Sequence, residues 1–509
     1  MYTCIAPSRA RSLRARTPRH IGVALLAVCA ACCGLAACAE PGPGDAPSAA
    51  PDDTTTPSLP VPPSDPDGPG DTSEPPDRSH PPRWSEVSAG GLHACAILEG
   101  DLWCWGRNDR GQSHDNGGSD LPAAARISAP RSNATWDAVA AGGEHTCAIS
   151  AGELWCWGAN ESGQLGDGTR DDRATPALVE PPTGTALPWF AVSAGGSHTC
   201  AVISATMFCF GNNSYRQLGD GTKDDRLVPT PVAGPADEGA PAADPLVAAP
   251  WTAVSAGAYH TCGIRGGEVW CWGYNLAGQI GDGSHVSRAV PTRVIVAGEG
   301  EAGAAPADDE DPNGSWDIVA AGGYHTCAQR QDGLWCWGQN LVGQLGLGGG
   351  GNRNTPARVP EGLIWTALSA GFHHTCGVAD GELWCWGRNT HGRLGDGTDA
   401  NLNLPTRTGL LAEPAALDAG TLDAGALDAG SPANAPAASS APVADAPVWA
   451  AVAAGDYHTC AIVDGGLRCA GFNDYGSLGD GTRRERRWFA PVAWAPRASP
   501  RDGDSGHAR

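Results

Sequence analysis

Hydrophobic and polar residues along this chain follow a short pattern that returns seven times. Each copy starts at a tryptophan, passes through small residues and glycine, and reaches a His-x-Cys segment, a turn and a segment with a central cysteine, as in residues 140–160 (AAGGEHTCAISAGELWCWGAN). These segments are short, rich in β-branched and aromatic residues and bounded by glycine, so they predict β-strands. A sequence with such a period is read as one closed or stacked object. The starting tryptophans are Trp84, Trp136, Trp189, Trp251, Trp316, Trp365 and Trp449.

The alternation within the strands predicts sheets that are covered on both faces. In the second copy, Trp155 and Trp157 point to one face of their strand and Cys156 points to the other. Because both faces are apolar, another layer must cover each of them. A sheet of about four short strands cannot stand alone, but a ring of such sheets buries both faces of each. The pattern therefore predicts an all-β ring.

Hairpin geometry predicts how the cysteines pair. Cys376 and Cys385 are symmetric about Asp380-Gly381, a two-residue hairpin turn. Counting outward from that turn places the cysteines at a non-hydrogen-bonded pair, where the Cα atoms approach to about 4.5 Å and a disulfide fits. The repeats contain no close C-x-x-C cluster of the kind that binds zinc. We therefore expect one disulfide within each hairpin, namely Cys95–Cys104, Cys147–Cys156, Cys200–Cys209, Cys262–Cys271, Cys327–Cys336, Cys376–Cys385 and Cys460–Cys469.

The start of the chain resembles a bacterial lipoprotein signal. An arginine-rich stretch precedes the apolar segment 21–37, and Leu35-Ala36-Ala37-Cys38 resembles a lipobox. We expect residues 1–37 to be a signal peptide and Cys38 to be the lipidated first residue of the mature chain. Residues 38–83 then form a disordered Pro/Asp-rich tether. This interpretation predicts a protein anchored in the bacterial cell envelope, at the outer membrane or cell surface. The alternatives are cleavage with full secretion and an uncleaved membrane helix.

Composition narrows the classes of partner. The formal charge is −23, and loss of the leader's five arginines would make the mature chain more negative still. Such a surface repels nucleic acid and anionic lipid. Lys223 is the only lysine, so there is no lysine-rich basic patch. We expect no nucleic-acid partner, with contact to the membrane through the N-terminal lipid alone.

The repeat resembles that of the regulator of chromosome condensation family. The family pattern G-x-x-H-T-x-A-x-x-x-x-G-x-x-W-x-W-G-x-N-x-x-G-Q-L-G is matched by residues 142–166 almost throughout and by residues 371–395 nearly as well. The resemblance implies a seven-bladed β-propeller over residues 84–496, followed by a disordered tail at 497–509. The first copy departs from the pattern at Gln112–Asp115. The third and seventh copies depart from it at the residues beside the second cysteine.

Members of this family that share the fold differ in function. The nuclear member of the family is a nucleotide-exchange factor for a Ran-type GTPase, whereas a secreted bacterial relative is an inhibitor that binds a β-lactamase. The exported, acidic and cystine-bearing chain is similar to the second in setting. No interface residue of the exchange factor can be matched through the repeat pattern.

Two further features extend the propeller hypothesis. Insertions near 233–250, 296–315 and 409–447 are rich in Ala, Pro, Asp and Gly, and we expect disordered loops on one side of the ring. One interpretation makes them an acidic fringe near the binding face, and the alternative is neutral expansion. The segment Pro491–Trp494 follows the last repeat and no matching strand precedes the first. We therefore predict that the ring closes with an outer strand borrowed across its ends.

Candidate chemistry is sparse. Seven histidines, each two positions before the first cysteine of its copy, could form a ring of metal ligands. Their presence in every copy favours a structural hydrogen bond instead, because catalytic sites are asymmetric. Residues 309–314 resemble half of a calcium loop, yet Ala320 stands where the bidentate Glu is required. We predict no metal, no cofactor and no enzyme. The histidines are His93, His145, His198, His260, His325, His374 and His458.

The leading hypothesis is a monomeric scaffold that binds a protein or glycan partner with one propeller face. Specificity is expected in residues that differ between copies after the second cysteine strand. The alternatives are an exchange-factor-like regulator and an extracellular propeller enzyme. The candidate binding residues are Arg107, Arg110, Tyr274, Leu276, Gln339, Arg388 and His391.

Overall fold

The computed structural model describes residues 82–114, 118–131, 134–182, 188–234, 249–296, 314–360, 362–408 and 446–494. The predicted signal peptide, Cys38, almost all of the tether and the tail at 497–509 lie outside these ranges. Within the described ranges, no helix has the length and hydropathy that a membrane crossing requires.

The described residues form seven four-stranded antiparallel sheets, which confirms the all-β, seven-bladed propeller. The first three blades are β1 (Trp84–Ala89), β2 (His93–Leu98), β3 (Asp101–Gly106) and β4 (Leu121–Ile127); β5 (Ala138–Ala141), β6 (His145–Ser150), β7 (Glu153–Gly158) and β8 (Arg173–Leu178); and β9 (Trp189–Ala194), β10 (His198–Ile203), β11 (Thr206–Gly211) and β12 (Arg226–Pro231). The fourth and fifth are β13 (Trp251–Ala256), β14 (His260–Arg265), β15 (Glu268–Gly273) and β16 (Arg288–Arg293); and β17 (Trp316–Ala321), β18 (His325–Arg330), β19 (Gly333–Gly338) and β20 (Arg353–Arg358). The last two are β21 (Trp365–Ala370), β22 (His374–Ala379), β23 (Glu382–Gly387) and β24 (Leu402–Thr408); and β25 (Trp449–Ala454), β26 (His458–Val463), β27 (Gly466–Gly471) and β28 (Arg486–Pro491).

The first strand of each blade lines the centre of the ring. β1 contacts β5 on one side and β25 on the other, and the remaining first strands contact each other in the same sequence. The ring is therefore closed. The second and third strands follow outward, and the fourth strand is the outer edge of each blade.

Each blade contains the disulfide predicted from hairpin symmetry. Cys147 and Cys156 are direct partners in the β6–β7 register, and the Cα atoms of every one of the seven pairs are 4.1 Å apart. Cys156 and Trp157 are both fully buried although they point to opposite faces of β7. The covering of both faces is the reason why the strands are apolar throughout.

The predicted borrowing of an outer strand is wrong. β28 pairs with β27 and β4 pairs with β3, so each sheet consists of four consecutive strands. The sequence Leu121–Ile127 lacks the Pro-x-x-Val pattern of other outer strands, and this hid the fourth strand of the first blade. The ends meet instead where β4 of the first blade bonds to two loops of the seventh: the Gly481 amide donates to the Pro122 carbonyl at 2.7 Å, and the Ala124 amide donates to the Ala493 carbonyl at 3.0 Å.

Two faces of the ring can be distinguished. The mouth face carries the loops between the first and second strands and between the third and fourth strands of each blade, such as residues 90–92 and 107–120 in the first. The turn face carries the hairpin turns between second and third strands and the connections between blades. The flanks of all three insertions lie on the turn face, since Trp251, Trp316 and Trp449 donate their amides to turn carbonyls at 2.9–3.3 Å.

The position of those flanks is relevant to the predicted acidic fringe. Within the insertions, residues 235–248, 297–313 and 409–445 lie outside the described ranges. Their bases are on the face opposite the predicted binding loops. This does not support an acidic fringe beside those loops. The chain also enters the ring on the turn face, where the Trp84 amide donates to the Gly465 carbonyl at 3.0 Å.

Candidate functional site

A ring of backbone hydrogen bonds surrounds the central cavity at the mouth face. In each blade the loop between first and second strands begins with a glycine. The carbonyl of this glycine accepts a hydrogen bond from a backbone amide in the equivalent loop of the preceding blade. An added Cβ at Gly142 would lie 2.7 Å from the Gly195 carbonyl, so a side chain there would force the loops apart. The ring comprises Gly91–Gly142, Gly143–Gly195, Gly196–Gly257, Ala258–Gly322, Gly323–Gly371, Phe372–Gly455 and Asp456–Gly90, with N···O distances of 3.1–3.4 Å.

A second layer of side-chain bonds joins neighbouring blades just below this ring. Nε2 of His145 lies 2.9 Å from Oγ1 of Thr199, and that hydroxyl donates to the Gln164 carbonyl at 2.9 Å. Because the hydroxyl hydrogen is already used, the imidazole must be the donor. The same arrangement joins His93–Thr146, His198–Thr261, His260–Thr326, His325–Thr375 and His374–Thr459.

These histidines are structural, as the sequence predicted. Burial lowers the pKa of His198 to about 3 and the pKa of His145 to about 4, so the rings are neutral at physiological pH. Six of the seven imidazoles are held by a threonine hydroxyl of the next blade, whereas Nε2 of His458 has no partner among the described residues. Among the described residues, no group of three or more His, Cys, Asp or Glu could hold a metal ion. Residues 309–313 of the half calcium loop lie outside those residues.

The mouth face carries a continuous group of rings from the third to the sixth blade, which we call the aromatic arc. Its members are Tyr215, Tyr259, Tyr274, Tyr324, Phe372 and His373, and neighbouring ring centroids are 4.7–6.3 Å apart. Most of the contacts are edge-to-face, the arrangement that aromatic quadrupoles favour. Burial, with a hydrogen bond to Tyr259, raises the pKa of the Tyr324 hydroxyl, so this hydroxyl stays protonated at neutral pH.

A second aromatic cluster continues this surface over the sixth and seventh blades. Phe472 lies between Tyr457, Tyr475 and His391, with centroid distances of 5.1–6.1 Å. The guanidinium of Arg393 lies 5.4 Å from the centroid of Tyr457. Aromatic rings thus extend around more than half of the mouth face.

Arg393 replaces the glutamine of the repeat pattern and is almost fully buried. Nη1 of Arg393 donates to the Asp456 backbone carbonyl at 2.7 Å, and Nη2 donates to Oγ1 of Thr390 at 2.7 Å. Burial lowers the pKa of Arg393 to about 10, which leaves the side chain charged at neutral pH. It therefore places a positive charge between the sixth and seventh blades.

The aromatic arc borders a central cavity of about 450 Å³ that opens on the mouth face. Most of its wall is glycine and alanine from the first strands and the loops that follow them. Tyr215, Tyr259 and Phe372 provide the rings, and Asp456 is the one acidic residue among the described residues of the wall. Burial raises the pKa of the Asp456 carboxyl to about 7, and nearby Arg393 opposes that rise.

All seven candidate binding residues lie on the mouth face, in the loops that follow third strands. Nη1 of Arg107 is 2.6 Å from Glu144, Nη2 of Arg107 is 2.6 Å from Asp109, and its guanidinium lies 5.8 Å from the Tyr475 ring centroid. Arg110 is paired farther out, with Glu161 at 2.9 Å and Asp172 at 3.0 Å. These two arginines are therefore engaged by carboxylates of the same chain.

The other candidates differ in what they contact. Tyr274 belongs to the aromatic arc, whereas the side chain of Leu276 beside it is 65% exposed. Oε1 of Gln339 accepts from Gln344 at 3.1 Å, and Nε of Arg388 donates to Oγ1 of Thr390 at 3.2 Å. Nδ1 of His391 is 2.6 Å from Oε1 of Glu485. The structure brings Tyr274 into the aromatic arc and places His391 and Arg107 against the second aromatic cluster, but it does not join the seven residues into one site.

Sequence reasoning missed the loops between first and second strands. Tyr259, Tyr324, His373 and Tyr457 directly precede the repeated histidines, and Phe372 lies one position earlier. These positions vary between copies as strongly as the loops that were chosen. Their aromatic content in four consecutive blades is the signal that could have found them.

The fold and the mouth face together define a propeller of the regulator of chromosome condensation class. The profile of the Regulator of chromosome condensation (RCC1) repeat matches residues 151–202, 205–264, 266–329, 331–378 and 380–414. A second profile of the same repeat matches 84–112, 136–164, 251–279, 317–344, 365–393 and 449–477. The chain belongs to the RCC1-repeat family.

The alignments with two curated relatives cover about half of this chain. It is 30% identical over 286 residues to the ultraviolet-B receptor UVR8 of Arabidopsis thaliana, covering 55% of this chain and 58% of UVR8. It is 29% identical over 269 residues to the human E3 ubiquitin-protein ligase HERC2, covering 52% of this chain and 5% of HERC2. The match thus spans little more than half of UVR8 and a small part of HERC2.

Solved structures show the same fold at low identity. Human WBSCR16 superposes with a TM-score of 0.57 at 16% identity, covering 75% of this chain and 86% of that one. Prp20p from Saccharomyces cerevisiae superposes with a TM-score of 0.55 at 19% identity, covering 77% and 84%.

Proposed function

We propose that this chain is a non-catalytic binding protein whose mouth face holds a protein partner. The aromatic arc carries the proposal. Tyrosine and arginine are enriched among the residues that dominate the energy of protein interfaces. The arc with its neighbouring cluster presents these residue types on one surface, where Tyr215 is 42% exposed and Tyr457 is 43% exposed. Leu276 and Leu341, 65% and 76% exposed, add apolar area to the same face.

The relatives support a role in binding proteins. Yeast RCC1 (Prp20) has been crystallised bound to Kap60, and the study of Prp20p describes its binding to Gsp1p and histones. Propellers of this family therefore hold other proteins. The identity of the partner would depend on the loops of the mouth face, which differ from blade to blade in this chain.

We further propose that the ring is exported and anchored through Cys38. Seven disulfides are typical of an oxidising compartment such as the bacterial envelope. Replacement of Cys38 by serine should abolish incorporation of radiolabelled palmitate and release the protein from the membrane fraction. Continued membrane association without labelled lipid would contradict the lipoprotein proposal.

Affinity capture with face-specific variants tests the binding proposal. The oxidised protein is immobilised and exposed to envelope and medium proteins of the source cells. Tyr215→Ser and Tyr457→Ser change the mouth face, whereas Ile364→Ser removes a comparably exposed apolar side chain, 55% exposed, just before β21 on the turn face. We expect the tyrosine variants to lose a partner that Ile364→Ser retains. A partner retained by all three variants would place binding elsewhere, and a purified glycan captured in its place would change the class of ligand.

A further inference from the structure

The wall of the central cavity departs from the repeat in the sixth and seventh blades. The second residue of the loop between first and second strands is small in five blades. In the other two it is Phe372 and then Asp456, next to each other around the cavity. A structural requirement of the fold would recur in every blade, whereas these two residues do not. The small residues are Gly91, Gly143, Gly196, Ala258 and Gly323.

The Asp456 carboxylate is free to meet a ligand. No hydrogen bond or ion pair engages its side chain within the part of the chain that the structure describes. Arg393 is close, but its guanidinium bonds the backbone carbonyl of Asp456 and Oγ1 of Thr390. The carboxylate reaches over Gly91, where an added Cβ would lie 3.4 Å from Oδ2. A carboxylate that no cationic side chain bonds directly gains from a cation brought to it.

Aromatic rings line the same cavity on the side of the fourth to sixth blades. The Phe372 ring lies 5.4 Å from the Tyr324 centroid and 6.3 Å from the Tyr259 centroid. Tyr259 and Phe372 both border the cavity together with Asp456. The face of an aromatic ring attracts an ammonium or guanidinium group, and the attraction grows when water is excluded. The wall of this cavity therefore offers a long cationic side chain both a carboxylate for its charged end and aromatic rings to pack against.

We propose that the central cavity receives a lysine or arginine side chain from the protein partner, with Asp456 as its counter-ion and Phe372 and Tyr259 as its aromatic wall. This inference rests on the proposed function and specifies the chemistry of the partner. The cavity of about 450 Å³ has room for one long cationic side chain. The net charge of −23 would also attract a basic partner from a distance.

Calorimetric titration with short peptides tests this site on the whole oxidised protein. The probe is a tri-arginine peptide amide, and the matched control is the tri-citrulline amide, which has nearly the same shape without charge. We expect binding of tri-arginine at least tenfold tighter than binding of tri-citrulline. Equal binding of the two peptides, or binding of neither, would overturn the inference.

Variants localise the binding to the cavity. Asp456→Asn and Phe372→Ala should each weaken tri-arginine binding at least tenfold, whereas Asp474→Asn removes an exposed carboxylate from the same face and should change it less than twofold. Asp456→Asn keeps the shape of the side chain, and an unchanged melting temperature would show that the ring is intact. If Asp474→Asn weakened binding as much as Asp456→Asn, the attraction would be diffuse and the site would be wrong.

The same variants separate this inference from the proposed function. A captured partner that needs Tyr215 and Tyr457 but binds Asp456→Asn with unchanged affinity would overturn the cationic contact and leave the protein-binding function standing. The opposite result is that tri-arginine binding depends on Asp456 while the captured partner binds the Tyr215 and Tyr457 variants as well as the unchanged protein. That result would support the cavity site and overturn the role of the aromatic arc.

Discussion

His458 and Ala94 occupy, at the junction between the seventh and first blades, the positions that a histidine and a threonine occupy at the other six junctions. At those six, the imidazole and hydroxyl are 2.8–2.9 Å apart. Ala94 has no hydroxyl, and Nε2 of His458 is buried without a partner among the described residues. An unsatisfied buried donor costs about 1–3 kcal/mol. The junction where the ends of the ring meet therefore lacks one bond across the blades.

Restoring the missing hydroxyl should stabilise the ring. In Ala94→Thr, the new hydroxyl can accept from His458 and donate to the Ser477 carbonyl, which already accepts from Trp105 at 2.9 Å. We expect the free energy of unfolding in guanidinium to rise by about 1 kcal/mol. The matched variant Thr146→Ala should lower it by about 1–3 kcal/mol, because it removes an existing bond to His93. A loss of stability in Ala94→Thr would show that the junction has no space for threonine.

Acid should destabilise the ring through its neutral histidines. Burial lowers the pKa of His93, His198, His260 and His325 to about 3, while an unfolded histidine titrates near 6.5. Below pH 6.5 the unfolded state therefore binds more protons, and each such histidine lowers the free energy of unfolding by about 1 kcal/mol per pH unit down to about pH 4. Denaturant titrations from pH 7.5 to pH 4.5 should show this fall.

Two carboxyls act in the opposite direction in the same experiment. Burial raises the pKa of Glu86 and of Asp456 to about 7, so the folded state takes up protons there as the pH falls. The histidines are more numerous and should dominate. Replacement of His198 by asparagine should reduce the pH slope by about one proton. A stability independent of pH between 7.5 and 4.5 would contradict the assignment of neutral, buried imidazoles.

Arg393 should control the titration of Asp456. Its charge favours the ionised carboxylate, so Arg393→Gln should raise the pKa of Asp456 above its value of about 7. Glutamine stands at this position in five other blades, which makes the replacement compatible with the fold. Carbon-13 NMR of the carboxyl groups would measure the shift. Arg388→Gln, a change of charge farther from Asp456, should leave it unchanged, and a fall in the pKa in Arg393→Gln would reverse the assigned interaction.

The disulfides should resist reduction until the ring unfolds. All fourteen cysteines of the seven pairs are fully buried between blades. Treatment of the native protein with dithiothreitol and a maleimide should label none of them, and the same treatment in guanidinium should label all. Mass spectrometry of the blade peptides distinguishes the two results. Removing one pair, Cys147→Ala with Cys156→Ala, should cost no more than about 2–3 kcal/mol, because each closes a short loop. Rapid labelling in the native state would show that the blades open locally.

Most of the fold could be predicted from local sequence patterns. The symmetry of each hairpin about its turn determined the Cys147–Cys156 pairing, since register in a hairpin follows from turn length alone. The fourth strand of the first blade was missed because Leu121–Ile127 keeps the backbone pairing but not the side-chain pattern. Backbone hydrogen bonds form whatever the side chains are, so β4 can pair with β3 without the usual pattern. A strand that lacks the pattern cannot be recognised from the sequence.

The candidate site was harder to predict because it is assembled across blades. Tyr215 and Tyr274 are far apart in sequence, yet their ring centroids are 5.2 Å apart. That contact depends on how neighbouring sheets are inclined in the closed ring, which no single repeat encodes. Asp456 is similar, since only the closed ring shows that its carboxylate borders a cavity with Phe372.

Because every blade consists of four consecutive strands, the polypeptide can be cut between any two blades without dividing a sheet. Trp494, at the end of the described ring, lies against Trp84 at its beginning, with centroids 6.4 Å apart. A short peptide could join these ends, and new ones could be opened within 409–445, between complete blades. A circularly permuted protein of this kind would keep all seven sheets and disulfides, and its chain would enter between the sixth and seventh blades.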